Sequence, residues 1–393
     1  MKICIHRVTH QIGGIATEIS TAKTRIIIDM GDELSLDPDF HSAPLNIRGV
    51  TDSNGHCDAV LFTHYHGDHM GQLMRVRPDI PLYAGALAKE IMGLSAAHSH
   101  SKDVALQNRI NTIHTFKGGE RLELGDIKIT AWSVDHSAVD SYMFVIEAEG
   151  KRVLYTGDFR RHGVRGHAVP KITGVIGKVD AVITEGTTIT RTGGAAPTEW
   201  DLQDSLKEYL EQYKYVFLLC ATTNLDRIFA AARAVPSGKY SLCDDYQYSL
   251  VKAVVDHWSV NSSFYTMPKL NWISEDLLER FRVKGGLMFV RANRHFEEII
   301  KQYNPAQSII LYSMWDGYRT KPNSSIPDFL KLAGTWASLH TSGHASAEDI
   351  QQVVEDVDPE LVIPMHTEAP DYMQQLLPNR RVKVLADGEE LII

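Results

Sequence analysis

Hydrophobic positions in the first half of the chain fall in short runs separated by turn residues. "TEIST" and "TRIIIDMGD" read as a hairpin, "DAVLFTH" as a buried strand and "PLYAG" as another, and "RLELGDIKITAWSV", "SYMFVIEAEGKRVLYTGD" and "DAVITEG" continue the series. Helical spacing intervenes after Gly71 in "QLMRVR" and after Gly85 in "ALAKEIMGL". Hairpins with interposed helices predict stacked sheets covered by helices. From about Pro197 the rhythm becomes a strict alternation: helix "TEWDLQDSLKEYLEQY", strand "YVFLLCA", helix "NLDRIFAAARAV", then strand "GLMFVRA", helix "RHFEEIIKQY" and strand "SIILYSM". That spacing predicts parallel βαβ units, with Thr198 capping the first helix. After about Leu332 the short-strand style returns with "TWASLHTSG", a helix over "SAEDIQQVVEDV", the strand "LVIPMH" and a closing hairpin "RVKVLADGEELII". The reading is an α/β protein of two units: residues 1–196 with 333–393, and an α/β unit of residues 197–332 inserted near the end of the first.

Composition narrows this little. At 393 residues, 44% hydrophobic and 23% charged, the chain can bury one large core or two ordinary ones and is neither disordered nor fibrous. A formal charge of −9 argues against a general nucleic-acid coat or an electrostatic membrane binder, although a local basic cleft can sit inside an acidic average. Between 201 and 330 there are 15 basic and 15 acidic residues, so the insert is neutral and a polyanion is drawn weakly to its side. Cys4, Cys57, Cys220 and Cys243 form no C-x-x-C pair, which excludes a disulfide framework and a cysteine zinc knuckle and points to a reducing compartment. "MKICIHRVTHQIGG" lacks an apolar h-region, and no window approaches about 18 uncharged apolar residues, so no signal peptide, no spanning helix and a cytoplasmic location are expected.

The densest chemistry is in "AVLFTHYHGDHMG", where a strand ends in H-x-H-x-D-H. His64 and His66 project to one side of a strand end, and a turn loosened by Gly67 and Gly71 can swing Asp68 and His69 toward a second point. Two metal positions follow. Imidazole and carboxylate without thiolate suit Zn²⁺, with Mn²⁺ or Fe admitted by ligand type. A lone histidine is more often a satisfied polar residue than a ligand, but four ligand-type residues in six positions at a strand end weaken that explanation.

This motif resembles the metallo-β-lactamase superfamily. The family expects an aspartate after an early strand, matched by Asp29 in "IIIDMG", a further histidine, matched by His136 in "VDHSAVDSY", and a bridging aspartate, matched by Asp158 in "VLYTGDFRR". The resemblance implies an αββα sandwich with His64, His66 and His136 on one zinc, Asp68 and His69 on the other, and Asp158 between them. Asp29 becomes a brace for the loop, or equally a strand-end carboxylate satisfying turn amides. The inserted α/β unit, "TSGHASAEDI" and "LVIPMHTE" further resemble the β-CASP branch, particularly ribonuclease J. That resemblance implies His366 on the second zinc, His344 with Ser342 at the substrate phosphate, and Glu185 in "ITEGTT" as the acidic residue after the next core strand. "ATTNLDRI" resembles the family's small-residue, asparagine and arginine motif, which implies that Thr223, Asn224 and Arg227 hold a phosphate at a helix start; any helix cap reads similarly. His98, His100, His162 and His167, the last two near Arg160 and Arg161, are left at the rim or in solvent. Met314, Trp315 and Asp316 depart from the family, which carries a smaller, proline-and-glycine-bearing loop there. The extra C-terminal domain of ribonuclease J is expected to be absent.

The activity implied is phosphodiester hydrolysis by a zinc-bridging hydroxide, with Asp68, His344 and Glu185 as catalytic residues, RNA or another phosphodiester as substrate, no membrane partner, and self-association left open. A metal-dependent hydrolase of a lactone, thioester or other small ester is the alternative, and the insert with the His344 and His366 pair counts against it. A flavodiiron oxidoreductase commonly has glutamate where His66 stands, and an inactive scaffold usually loses ligands that are all filled here.

Overall fold

The computed structural model describes the whole chain except residues 36, 38, 39, 100, 101, 192–195 and 261. A seven-stranded sheet runs in the order Glu390–Ile392, Lys2–Arg7, Ala16–Ser20, Arg25–Ile28, Ala59–Leu61, Leu82–Gly85 and His114–Phe116. A second sheet of six strands runs Leu361–Met365, Ala181–Glu185, Lys151–Tyr155, Ser141–Ala148, Ile127–Val134 and Arg121–Leu124. The central strands, such as Ala59–Leu61 and Ala181–Glu185, are buried along their whole length because both faces are covered. Ile26 and Ile28 join Ile129, Phe144, Val153 and Ile183 between the sheets. Ile27 points the other way, into the layer shared with Leu87 and Ile91 of the helix Ala86–Ser99. On the far side, Leu154 and Val182 pack with Ile176 of Val169–Ile176 and with Ile350, Val353 and Val354 of Ala347–Val357. The result is the αββα sandwich expected from the sequence.

The third sheet is wholly parallel, in the order Asn271–Trp272, Tyr240–Cys243, Gly286–Val290, Tyr215–Cys220, Ser308–Ser313 and Thr335–Ser338. Its first helix, Glu199–Gln212, begins in a capping box in which Thr198 accepts from the Asp201 amide and Asp201 accepts from the Thr198 amide, so two orphan donors are satisfied. Between 235 and 285, where the hydrophobic pattern carried no assigned element, stand Tyr240–Cys243, the helix Asp245–Trp258 and the helix Glu275–Lys284.

Two elements differ from the sequence reading. Thr335–Ser338 pairs with Ser308–Ser313, from Ile309 opposite Thr335 to Tyr312 opposite Ser338, so the third sheet extends past Leu332. "RVKVLADGEELII" is not a hairpin: Val382 bridges Val362 of the second sheet, whereas Glu390–Ile392 pairs antiparallel with Lys2–Arg7 of the first. The two halves of that segment therefore close the sandwich from opposite sheets.

Candidate metal centre

The H-x-H-x-D-H segment is held by the strand end beside it. Asp29, at φ +64° and fully buried, accepts from the Thr63 amide at 2.8 Å and the Thr63 hydroxyl at 2.9 Å. Met30 donates its amide to the His69 carbonyl at 2.7 Å, and Ile15 donates to the Asp68 carbonyl at 3.1 Å. This close approach explains Gly31, where a Cβ would stand 1.6 Å from the Asp68 carbonyl oxygen. Instead of a loose turn, Gly67–Met70 closes into one helical turn that buries Asp68 and His69.

The imidazoles are oriented by their outer nitrogens. The Thr63 hydroxyl is spent on Asp29, so its oxygen accepts from His64 Nδ1–H at 3.1 Å. His69 Nδ1–H donates to Asp29 Oδ2 at 2.9 Å, His136 Nδ1–H to the Gly343 carbonyl at 2.6 Å, and His366 Nδ1–H to Thr187 Oγ1 at 2.9 Å. In each ring the Nδ1 contact leaves Nε2 facing inward, the orientation that metal-ligating histidines take. Asp29 thus does what both sequence readings of it asked: it satisfies a turn amide and braces a ring.

The inward atoms form two adjoining groups, and a third overlaps the second through Asp158 and His366 and adds Glu185 and His344. His64, His66 and His136 make one; His66 Nδ1 and His136 Nε2 face each other at 3.2 Å, and His64 Nε2 is buried without a partner. Asp68, His69, Asp158 and His366 make the other, with His69 Nε2 3.1 Å from Asp158 Oδ2 and His366 Nε2 3.3 Å from Asp68 Oδ2. Asp158 Oδ2 also lies 3.9 Å from both His64 Nε2 and His136 Nε2, so it stands between the groups, and its Oδ1 has no hydrogen-bond partner. Burial holds His64 and His136 well below the usual histidine range, so both keep a lone pair. Burial alone would push Asp158 up, yet His366, His69 and His344 hold it well below the usual carboxylate range. An orphaned imidazole nitrogen and an orphaned carboxylate oxygen in a buried pocket of nitrogen and oxygen donors fit divalent cations.

His344 approaches from the side. Its Nδ1–H donates to Glu185 Oε2 at 2.9 Å and lies 3.5 Å from Asp158 Oδ2, while Nε2 remains for a ligand. Burial opposes its charged form, but Glu185 and then Asp158 lift its pKa to about 9. Glu185 is fully buried, and its other oxygen accepts from the Phe159 amide at 2.8 Å and the Ala345 amide at 3.4 Å. It therefore faces His344 and backbone rather than the open cleft. Ser342 Oγ accepts from the His344 amide at 3.1 Å, and its carbonyl accepts from Arg160 Nη1 at 3.1 Å and His162 Nε2–H at 2.8 Å.

Arg160 and His162 were passed over in the sequence, where nothing separates a buried arginine from a solvated one. Arg160 is fully buried, donating Nε–H to Asp135 Oδ1 at 2.9 Å and Nη1–H to Glu199 Oε1 at 3.0 Å. His98 lies outside the site, stacked on Tyr246 with ring centroids 4.0 Å apart, and His100 is outside the described residues.

The "ATTNLDRI" expectation needs correction. Arg227 does not face a phosphate: it is 2% exposed and gives Nε–H to Glu199 Oε2 at 2.6 Å, Nη2–H to Glu199 Oε1 at 2.9 Å and Nη1–H to Ser313. Its donors are consumed by a buried carboxylate. Asn224 is the N-cap of Leu225–Ala234, accepting from the Arg227 amide at 3.3 Å, which is the plain cap reading. The Thr223 carbonyl accepts from the Tyr65 hydroxyl at 3.0 Å, and Tyr65 stands between His64 and His66, so this turn does border the metal cluster. A groove of about 710 Å³ over Cys4, His6, Glu18 and Arg25 lies on the outer face of the first sheet and contains none of the candidate ligands.

Residues 24–207 match the family model described as Beta-lactamase superfamily domain, and residues 333–379 match Zn-dependent metallo-hydrolase RNA specificity domain. Ribonuclease J from Sinorhizobium meliloti is 23% identical over 363 residues, covering 82% of this chain and 60% of that protein. Ribonuclease J from Corynebacterium glutamicum is 26% identical over 186 residues, 45% of this chain and 25% of the relative. The chain thus spans 60% or less of the length of these curated relatives. A crystal structure of a protein of unknown function from Enterococcus faecalis V583 shares the fold with a TM-score of 0.80, at 18% identity, over 100% of this chain and 99% of that one. The chain belongs to the metallo-β-lactamase superfamily, in its ribonuclease J-like β-CASP branch.

Proposed function

We propose that the protein is a metal-dependent phosphodiester hydrolase acting on RNA. The observation that carries the reading is the pair of adjoining donor groups with Asp158 between them and His344 beside them. The RNA specificity description of the family model over 333–379, the segment containing His344 and His366, supports RNA over a small ester. Two zinc or manganese ions held by these groups would supply a water of lowered pKa and Lewis acidity toward the phosphoryl oxygens. His64, His66 and His136 would hold one ion, Asp68, His69 and His366 the other, and Asp158 both.

The chain's own groups then do the rest. Asp29, Thr63, Thr187 and the Gly343 carbonyl keep the imidazoles in one tautomer. Glu185 orients His344 through Nδ1, so that Nε2–H can meet a nonbridging phosphate oxygen or give its proton to the leaving oxygen. Glu185 acts here through His344, as a positioning group. Ser342 and Thr223 border the phosphate path. Residues 197–332 would form the second wall of the cleft. With its four free cysteines buried, the enzyme would work in the cytoplasm; among the described residues no helix is long and apolar enough to cross a membrane.

The test is a chelator-controlled assay on single-stranded RNA, single-stranded DNA and a small chromogenic phosphodiester, with metal counted by elemental analysis. RNA cleavage abolished by chelation and restored with two metal equivalents is expected. Hydrolysis of lactone or thioester esters with RNA untouched would replace this reading, and one equivalent or less after reconstitution would remove the dinuclear part.

A further inference from the structure

Because the six strands of the third sheet are parallel, all of them end on one edge, where open α/β sheets receive ligands. Two of those ends adjoin the metal centre. The turn after Tyr215–Cys220 is bonded to Tyr65, and Thr335–Ser338 runs on into the segment of Ser342 and His344. Ser308–Ser313 lies between these two strands, so the residues that follow it rise from the same edge, between the same two loops. They are Met314, Trp315 and the short helix Asp316–Thr320, the segment where the sequence departs from the ribonuclease J pattern.

Trp315 and Tyr318 are each 43% exposed and meet edge to face with ring centroids 5.4 Å apart. Neither ring is loose. The indole lies against Gly317, where a Cβ would stand 2.4 Å from Trp315 Cη2, and the Trp315 carbonyl accepts from the Tyr312 hydroxyl at 2.7 Å. The one cation of this helix is already committed, since Arg319 donates to Asp316 at 2.7 and 2.9 Å and lies 5.3 Å over the Trp336 ring. The rim therefore presents aromatic faces rather than net positive charge.

We propose that Trp315 and Tyr318 form a stacking platform for a base of the single-stranded nucleic acid whose phosphate enters the metal centre, an inference that rests on the phosphodiesterase reading above. Every base has a π face, so such a platform grips single strands of any sequence. In a chain of net charge −9, stacking supplies affinity that phosphate neutralisation does not. Rings fixed before binding lose little further freedom on contact.

The test is a cycle of binding measurements with a labelled ten-nucleotide single-stranded RNA and a set of the same oligonucleotides each lacking one base. Trp315→Ala should raise Kd by about 5- to 150-fold, the span of one base on one aromatic ring, and Trp315→Phe should restore most of it. One abasic position should weaken wild-type binding by a similar factor yet add nothing in Trp315→Ala; the same cycle with Tyr318→Ala covers the chance that the first variant misfolds. If wild-type protein cleaves this RNA and both alanine variants bind it as wild type does, or if abasic and alanine losses multiply at every position, the platform is overturned while the nuclease reading stands. If wild-type protein neither binds nor cleaves RNA, both fall.

Discussion

His344 and His366 both lie beside Asp158, their ring centroids 5.7 Å apart, yet their alanine variants should fail in different ways. His366 belongs to the compact four-donor group, with Nδ1 held by Thr187 and Nε2 3.3 Å from Asp68 Oδ2. Its loss removes a ligand, so metal content at one position should fall and excess zinc should recover part of the activity. His344 also has a place in the third group, with Asp158, Glu185 and His366. A cation there would have to displace the 2.9 Å bond between His344 Nδ1–H and Glu185 Oε2, and Glu185 Oε1 is already used by the Phe159 and Ala345 amides. His344 is therefore expected to serve substrate. His344→Ala should retain both metals and most RNA affinity but lower kcat by about 10²–10⁴-fold, the range for losing a positioned acid or oxyanion donor, equivalent to about 3–5 kcal/mol of barrier. Metal content, equilibrium binding and single-turnover cleavage, each with and without added zinc, distinguish the variants. A His344→Ala protein that loses metal and regains activity with zinc would refute the argument and make His344 a ligand. Normal RNA cleavage by both variants would make the pair structural and remove both assigned roles.

Asp158→Ala should strip both metal positions, whereas Asp29→Ala should weaken metal affinity about 10–100-fold through the loosened His69 ring; equal activity losses with full metal in both would contradict the shared-carboxylate assignment. Arg227→Ala should destabilise the fold by about 3–5 kcal/mol in denaturant unfolding, the cost of breaking a buried ion pair, and wild-type stability with lost RNA affinity would return Arg227 to the substrate.

What the sequence made legible was local or periodic. The sandwich strands were readable because strands buried on both faces are short apolar runs, and His64, His66, Asp68 and His69 because they crowd one strand end. His136, Asp158 and His366 are single residues on separate loops; only the family's spacing, not their surroundings in the chain, marked them. Thr335–Ser338 was misplaced because its residues fit either unit, and only pairing with Ser308–Ser313 decides. Arg227 was misread for a similar reason. A cap asparagine followed by arginine looks the same whether the guanidinium meets a phosphate or, as here, a glutamate 28 positions upstream.

That glutamate also explains how the cleft keeps its shape. Arg160, two residues after Asp158, donates to Asp135 in the sandwich, to Glu199 at the start of the first inserted helix, and to the Ser342 carbonyl in the His344 segment. Glu199 passes the connection to Arg227, which reaches Ser313 at the strand end below Trp315. Both arginines hold Glu199 at a pKa of about 2 despite its burial, so the carboxylate stays charged across the working pH range. An apolar cluster of equal volume could match this arrangement in stability, but it could not donate to a carbonyl. The segment of Asp158, the His344 segment and the strand end below the aromatic rim are thus tied to one another by directional bonds to buried charges, and their mutual distances are set by packing rather than by the length of any linker.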